Sequence, residues 1–353
     1  MSEFEVDRRG FLKISAGALA AVPVLAAAGC ARPDNPTDPD NWLNIFDASS
    51  AARAGQSASR FQELPGGMSA DALYEVNRSG LDAITLRPRV LVDVSNLDLT
   101  TTFLGRTLDS PILVGPSGLP TNSRRGELRT LRGATTANTS MILDGSVAGD
   151  MSAADSEPRR HAVWYQLDRS ATGDRAQVAE VERALQASAA AICYTPRSDT
   201  TGRERIDDTL RRLVGLSALP VLLNGVMTAH DACAAVEVGA AGVIVSNRYA
   251  QHGARPTIDV LPEVHAAIGD GHPVLLDGSF RRGTDVLKAL SLGARAILVG
   301  RPVRWALAAG GAPGVRKVLE LLESELALSM ALCGRPTISG IDPSLVRRVD
   351  FPS

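Results

Sequence analysis

Cysteine, histidine and aromatic residues are scarce in this chain, and neither sign of charge dominates. The 353 residues include 4 cysteines, 5 histidines and 4% aromatic residues, and the formal net charge is −2. No Cys-x-x-Cys motif and no pair of histidines at metal spacing occurs. We therefore expect no metal site, and buried thiols rather than a disulfide framework. The balanced charge predicts a small-molecule ligand and no nucleic acid partner.

The first 30 residues have the pattern of an export signal. Asp7-Arg-Arg-Gly-Phe-Leu-Lys13 contains twin arginines and precedes the apolar stretch Ile14–Ala28. Ala27-Ala-Gly-Cys30 resembles a lipobox, with Ala27 where Leu or Val is usual. A single membrane anchor is the alternative, but the stretch is short for a span of about 20 residues. We expect export by the twin-arginine route to the periplasm or the extracytoplasmic face of the membrane, with attachment to the membrane only through a lipidated Cys30.

The segment that follows differs in composition from both the signal and the rest of the chain. Residues 31–50 are rich in Pro, Asp and Asn, which predicts a flexible tether. We expect residues 51–353 to form one barrel domain.

Eight short β-rich runs alternate with helical or polar segments over this domain. Nearly continuous apolar strands indicate a parallel sheet with both faces covered, and eight such units predict a closed (β/α)₈ TIM barrel. An open, doubly wound sheet is the alternative, but no Gly-x-Gly-x-x-Gly turn follows the first strand. The eight runs are Pro111–Pro116, Ser140–Gly145, Ala162–Leu167, Ala190–Thr195, Pro220–Gly225, Gly242–Asn247, Pro273–Asp277 and Ala296–Gly300.

The last two predicted strands lead into a phosphate-binding pattern. The segment at the end of the seventh strand reads Asp277-Gly-Ser-Phe-Arg-Arg-Gly-Thr-Asp285, and the segment at the end of the eighth strand reads Gly300-Arg301-Pro302. In a parallel barrel the turns after the last two strands, with a helix N-terminus, form a phosphate site. Glycine allows close backbone approach, while Arg281 and Arg301 add charge and forked donors. We expect a phosphorylated cofactor or substrate here.

Several longer stretches, taken together with the phosphate segment, point to one protein family. They include Thr85-Leu-Arg-Pro-Arg-Val-Leu, Val243-Ile-Val-Ser-Asn247 and Thr257-Ile-Asp-Val-Leu-Pro-Glu-Val. Together they resemble the FMN-dependent α-hydroxy acid oxidases and dehydrogenases, the group of glycolate oxidase, lactate oxidase and mandelate dehydrogenase. The resemblance extends over about Leu64–Leu345 and implies FMN as the cofactor. The residues implied to bind it are Pro116, Ser117, Gly118, Gln166, Asn224, Ser246, Asp277, Ser279, Arg281, Gly300 and Arg301.

Three of the residues near the implied flavin depart from the family pattern. Ser279 stands where Gly is usual, and its hydroxyl can also donate to phosphate. Asp144 replaces a Ser. Asn224 replaces a Lys that stabilises the negative charge of the reduced flavin. Since Asn carries no charge, we expect a lower flavin potential.

The residues of the implied reaction centre differ from the family pattern more than the residues near the flavin do. In the family, a His directly after Ser-Asn removes a proton, and an Arg three residues later binds the substrate carboxylate. Here Arg248 follows Ser246-Asn247 and Gln251 takes the Arg position. Arginine is effectively never deprotonated, so Arg248 cannot be a base, although it can stabilise an anionic flavin or substrate. Asp168, which replaces a family Tyr, is a candidate base if burial raises its pKa.

A second register of the same loop is the alternative. His252-Gly-Ala-Arg255 copies the family's His-Gly-Ala-Arg string four residues further from the strand end. If the loop bulges, His252 is the base and Arg255 binds the carboxylate. Catalytic groups need placement within about half an ångström, so an ordinary loop His252 is the competing interpretation.

These patterns predict an exported FMN-binding oxidoreductase that acts on a small, anionic substrate other than a simple 2-hydroxy acid. The alternatives are a non-catalytic barrel that binds flavin and a barrel that binds another phosphorylated ligand, such as a sugar phosphate. Thr195 to Pro220 leaves room for only a short lid beside the helix Asp207–Leu216. Family members are often tetramers, but the shortened loop leaves the assembly open, so a homo-oligomer stays a prediction.

Overall fold

Eight parallel strands close into a barrel within the part of the chain that the structure describes. This computed structural model describes residues 37–64, 68–116, 124–145, 163–167, 174–196, 206–248 and 255–349. The barrel strands are β4 (Ile112–Val114), β5 (Met141–Asp144), β6 (Val163–Gln166), β7 (Ile192–Tyr194), β8 (Val221–Val226), β9 (Gly242–Val245), β10 (Val274–Asp277) and β11 (Ala294–Val299). They follow chain order around the barrel, and β11 pairs with β4 to close it.

Alternation of side chains along these strands divides the core into two regions. Leu113, Trp164 and Leu275 belong to one buried cluster, which fills the inside of the barrel. Their neighbours in sequence, such as Ile112 and Val163, belong to a larger cluster that includes residues of the surrounding helices. Because both faces are buried, the strands are apolar throughout, and this is why the eight runs were visible in the sequence. The predicted barrel is confirmed.

Helices cover the outside of the barrel. They are α1 (Ile45–Gly55), α2 (Ala58–Glu63), α3 (Met68–Asp82), α4 (Arg124–Thr136), α5 (Asp174–Gln186), α6 (Ile206–Leu216), α7 (Ala229–Glu237), α8 (Thr257–Ile268), α9 (Gly283–Ser291) and α10 (Arg301–Leu332). Helix α10 is kinked at Gly311, whose φ of 60° is left-handed.

Among the described residues, four short strands lie outside the barrel wall. The hairpin of β2 (Thr101–Phe103) and β3 (Arg106–Leu108) places Phe103 against Trp164, with ring centroids 4.8 Å apart. It therefore adds to the cluster inside the barrel. Strand β1 (Ile84–Leu86) pairs with β12 (Val346–Arg348) in an antiparallel sheet, which joins the two ends of the domain.

The structure corrects the predicted tether over the part of it that is described, residues 37–50. A 3₁₀ turn at Pro39–Asn41 and helix α1 are ordered parts of the domain, and Trp42 is buried. A Cβ atom added at Gly310 or Gly314 of α10 would lie 3.3 or 3.1 Å from the Trp42 ring, so glycine permits this close contact. Pro and Asp are common in tethers, but they are also favoured where helices begin. Here Asp38 caps the 3₁₀ turn.

The predicted signal lies outside the described residues. Among the helices that the structure describes, none combines the length and the hydropathy needed to cross a membrane. In the same part of the chain Cys193 and Cys333 are buried thiols, and Cys233 is half-buried.

Candidate functional site

Polar and charged side chains gather where the barrel strands end at their carboxyl termini. Strands β10 and β11 are paired, so the loops that follow them are neighbours. This end of a parallel barrel is where loops form ligand sites. The predicted residues brought there are Pro116 after β4, Gln166 on β6, Asn224 on β8, Ser246 and Arg248 after β9, Asp277 on β10, Ser279 and Arg281 before α9, and Gly300 with Arg301 at the start of α10.

The loop between β10 and α9 is organised by one buried carboxylate, Asp285. Its Oδ2 atom accepts hydrogen bonds from the backbone N–H groups of Arg281 and Arg282 at 2.9 and 3.0 Å. Nη1 of Arg78 on α3 donates to the same oxygen at 2.7 Å. Asp285 is 1% exposed, so these bonds are shielded from water. The carboxylate thus fixes the turn and ties it to α3.

Arg281 is the most enclosed positive charge at this site among the described residues. The residue is 3% exposed, and its guanidinium lies between the rings of Tyr74 and Trp305, 4.8 Å from each centroid. One nitrogen donates to the carbonyl of Phe280 at 2.8 Å, whereas Nε and Nη2 have no partner in the described structure. Burial lowers the pKa of Arg281 to about 9, with Arg301 as a second cause. A buried cation with two unused donors fits an anion such as phosphate.

Arg301 and Gly300 complete the same corner. Arg301 lies 5.4 Å from the Tyr74 centroid and 3.9 Å from a carboxylate oxygen of Asp71, and burial lowers its pKa. Gly300 precedes the first turn of α10, and a Cβ added there would meet nothing within 4 Å. Open space beside a helix N-terminus and two arginines is the arrangement that a phosphate group requires. The residues present therefore fit a bound phosphorylated cofactor.

Ser279 adopts a left-handed backbone conformation with φ of 62°, which is strained for a residue with a Cβ atom. We predict that Ser279→Gly raises the free energy of unfolding of the ligand-free protein by about 0.5–1 kcal/mol. Urea denaturation measures this change. Ser279→Ala, which keeps the Cβ atom and loses only the hydroxyl, is the control. Equal stabilisation by both variants would show that backbone strain is not the cause.

A second group of polar residues lies between the ends of β9, β10 and β4. Ser246 Oγ donates to Asp277 Oδ2 at 3.1 Å, and Nη1 of Arg248 donates to the carbonyl of Pro116 at 2.9 Å. Arg248 therefore reaches from the end of β9 to the end of β4. Desolvation raises the pKa of Asp277, while Arg248, Ser246, Arg301 and Arg304 oppose this rise. Arg248, which directly follows Ser246-Asn247 at the end of β9, thus lies at the mouth of the barrel.

A third group is a buried chain of side-chain amides and a hydroxyl. Asn224 Nδ2 donates to Thr195 Oγ1 at 3.0 Å, and Thr195 Oγ1 donates to Gln166 Oε1 at 3.2 Å. Gln166 Nε2 in turn donates to the carbonyl of Leu167 at 3.3 Å. Asn224 Oδ1 is buried without a partner in the described residues, so it is available to accept a hydrogen bond from a ligand. The sequence patterns did not single out Thr195, which holds both amides in place.

The structure does not bring Arg255 to this site and gives no support to its predicted role in binding a carboxylate, which stays a prediction. Nη1 of Arg255 donates to both carboxylate oxygens of Glu263 at 3.1 Å, and the Arg255 side chain is 56% exposed. The cause is a buried pair of amides: Asn77 and Asn247 donate to each other at 3.0 and 2.9 Å. Asn247 also donates to the carbonyl of Arg255 at 3.2 Å, which fixes that backbone beside α3.

Several other predicted residues cannot be placed. His252, Asp168, Ser117 and Gly118 lie outside the described residues, so their roles stay predictions. Asp144, at the end of β5, is partly buried.

Arg304, on the first turn of α10, is a charged residue of this site that the sequence patterns missed. It is 6% exposed, and its Nη1 donates to the carbonyl of Leu64 at 2.9 Å. Burial lowers the pKa of Arg304 to about 10, with Arg248 and Arg301 as further causes. A signal was present in the sequence, since an arginine one turn after Gly300 interrupts the apolar run Pro302-Val-Arg-Trp-Ala306.

Comparison with known proteins agrees with this geometry. The family model described as FMN-dependent dehydrogenase matches residues 52–208 and 204–348. An L-lactate oxidase of Nostoc sp. is 34% identical, over 86% of this chain and 98% of the oxidase. A glycolate oxidase of Spinacia oleracea is 35% identical, over 76% of this chain and 85% of the oxidase.

Solved structures show the same fold. A soluble mutant of the membrane-associated (S)-mandelate dehydrogenase from Pseudomonas putida aligns with a TM-score of 0.75 at 27% identity. The alignment covers 87% of this chain and all of that one. FMN as cofactor, predicted from the phosphate segment and the resemblance, is therefore confirmed. The chain belongs to the FMN-dependent dehydrogenase family.

Proposed function

We propose that this protein is an FMN-dependent oxidoreductase of the hydroxy acid oxidase and dehydrogenase class, with a rebuilt reaction centre and an altered substrate. The observation that carries the proposal is the buried guanidinium of Arg281, which keeps two nitrogens without partners in the described structure and shares the Tyr74 ring with Arg301. Such a group is costly to bury unless an anion binds it. The family match and the named relatives support the reaction class.

The described residues divide into two sets with different tasks. Arg281, Arg301 and the N-terminus of α10 would hold the phosphate of FMN. Gln166 and Asn224 would offer hydrogen-bonding groups to its ring from the buried amide chain. When bound, FMN supplies an acceptor for the electron pair that leaves the carbon–hydrogen bond of a hydroxy acid.

Removal of the hydroxyl proton requires a base, and Arg248 cannot supply one. The two remaining candidates from the sequence are His252 and Asp168, both outside the described residues. Arg248 is suited to a different task, because its guanidinium lies at the barrel mouth and attracts negative charge. We assign it to an anionic substrate or to the negative charge of the reduced cofactor.

We predict that the purified protein is yellow and shows the absorption bands of oxidised FMN. Anaerobic mixing with a panel of 2-hydroxy acids, including aryl and acidic members, should bleach those bands with at least one compound. Mass spectrometry of the released cofactor identifies FMN. A colourless protein that cannot be reconstituted with FMN would contradict the proposal.

A non-catalytic flavin-binding protein is the second candidate. It is favoured by Arg248 at the position of the family's base and by the neutral Asn224 where the family has a Lys. This candidate predicts FMN that no compound of the panel reduces, although chemical reduction by dithionite succeeds. Rapid bleaching by any hydroxy acid would eliminate it.

We also propose export by the twin-arginine route, with lipidation of Cys30. The support is the arrangement of twin arginines, apolar stretch and Cys30 in the sequence. Export of a folded protein suits an enzyme that acquires its cofactor before leaving the cytoplasm. Fractionation of cells that carry Arg8→Lys with Arg9→Lys should show loss of the protein from the extracytoplasmic fraction.

A further inference from the structure

Among the described residues, three arginines at the mouth of the barrel act on one carboxyl group. Arg248, Arg301 and Arg304 each act on the carboxyl of Asp277, and they act on one another. Among the described residues, the acidic groups acting on Arg304 are Glu127 and Asp277. Desolvation raises the pKa of Asp277, and the three arginines oppose this rise. A bound anion would add a second negative charge beside these three arginines.

Arg304 is the member of the cluster whose role is least explained by the fold. Its residue is 6% exposed, yet its hydrogen bond goes to a neutral acceptor, the carbonyl of Leu64, at 2.9 Å. Its Nε atom is buried and has no partner in the described structure. Burying a guanidinium costs free energy that one neutral hydrogen bond does not offset.

The phosphate of FMN does not account for this charge. Arg281 and Arg301, which share the Tyr74 ring, are the pair that fits it. The positive charge of Arg248 instead lowers the pKa of Arg304, and the guanidinium of Arg248 donates to the carbonyl of Pro116 at the end of β4. Two positive groups therefore remain at the mouth after the phosphate has been bound.

We propose that Arg304 and Arg248 form a second anion-binding subsite, separate from the phosphate corner, which binds the carboxylate of the substrate. The forked donors of a guanidinium match a carboxylate, and the enclosed position of Arg304 strengthens such a bond. The subsite replaces the loop arginine, since Arg255 is directed to Glu263 on the surface. This inference rests on the proposed function, because it assumes FMN beside the same mouth.

The test is binding of oxalate to the oxidised holoprotein, followed by the change in the visible flavin spectrum. We expect Arg304→Met, which keeps the length of the side chain without its charge, to weaken oxalate binding roughly 10- to 100-fold. FMN affinity should change less than about threefold, as phosphate binding does not involve Arg304. Arg316→Met is the matched control, because Arg316 on the same helix forms a surface pair with Glu320 and should leave both values unchanged.

The possible results separate the inference from the proposed function. Unchanged oxalate affinity in FMN-loaded Arg304→Met would overturn the subsite. A shift in flavin midpoint potential without loss of oxalate binding would also overturn it, since Arg304 would then act on the cofactor. If Arg304→Met does not fold, Arg304→Lys must weaken oxalate binding about threefold or more, because Lys lacks the forked geometry. Wild-type protein that binds no FMN would instead contradict the proposed function.

Discussion

Replacing Arg281 with methionine is expected to lower the affinity for FMN on the order of 100-fold. Two charge-assisted hydrogen bonds to the phosphate would be lost, each worth about 1.5–3 kcal/mol. The guanidinium is 3% exposed, so water cannot compensate for the missing donors. Fluorescence quenching during titration of the apoprotein with FMN measures the dissociation constant.

The neighbouring residue provides a matched control. The side chain of Arg282 is 51% exposed and pairs with Glu325 on α10 at 2.9 Å. Because this pair lies at the surface, Arg282→Met should change FMN affinity by less than about threefold. If the two variants bind FMN equally well, Arg281 does not hold the phosphate.

Replacing Asp285 with asparagine is expected to lower the free energy of unfolding by about 3 kcal/mol. The negative charge that Arg78 meets inside the protein would be lost, and one amide cannot serve three donors as the carboxylate oxygen does. The turn before α9 would loosen, so FMN affinity should fall as well. Urea denaturation of the apoprotein measures the first effect.

Substitution of Asp82 serves as a control, because it removes the exposed partner of Arg78 and leaves the buried partner Asp285 in place. It pairs with the same Arg78, but its side chain is 61% exposed. Asp82→Asn should therefore cost less than about 1 kcal/mol. A loss of stability as large as that of Asp285→Asn would show that the pairing of Arg78, rather than the buried turn, governs stability.

The barrel could be predicted because its strands are buried on both sides. Runs such as 273–276 and 242–245 are apolar without interruption, and they recur with helical segments between them. Helix α6 was also recognisable, as its predicted start at Asp207 differs from the structure by one residue. Local pattern and tertiary environment agree at these positions.

Prediction failed where one composition suits two structures. Pro, Asp and Asn around residue 40 are typical of a tether, but they also start helices, and the buried Trp42 decides between these. The His-Gly-Ala-Arg string illustrates the same difficulty. Its Arg255 is directed outward because Asn77, on a helix far away in sequence, holds the backbone at Asn247.

The barrel and the phosphate loop follow from the sequence alone, and FMN follows from the family resemblance of the same stretches. The phosphate loop depends on residues that are close in the chain, such as the glycines and arginines between Asp277 and Asp285. The surroundings of those arginines are set by the tertiary fold. Tyr74 and Trp305 come from two separate helices to enclose Arg281, and the charge of Arg248 lowers the pKa of Arg304. Burial and charge depend on such distant neighbours, so no local pattern reports them.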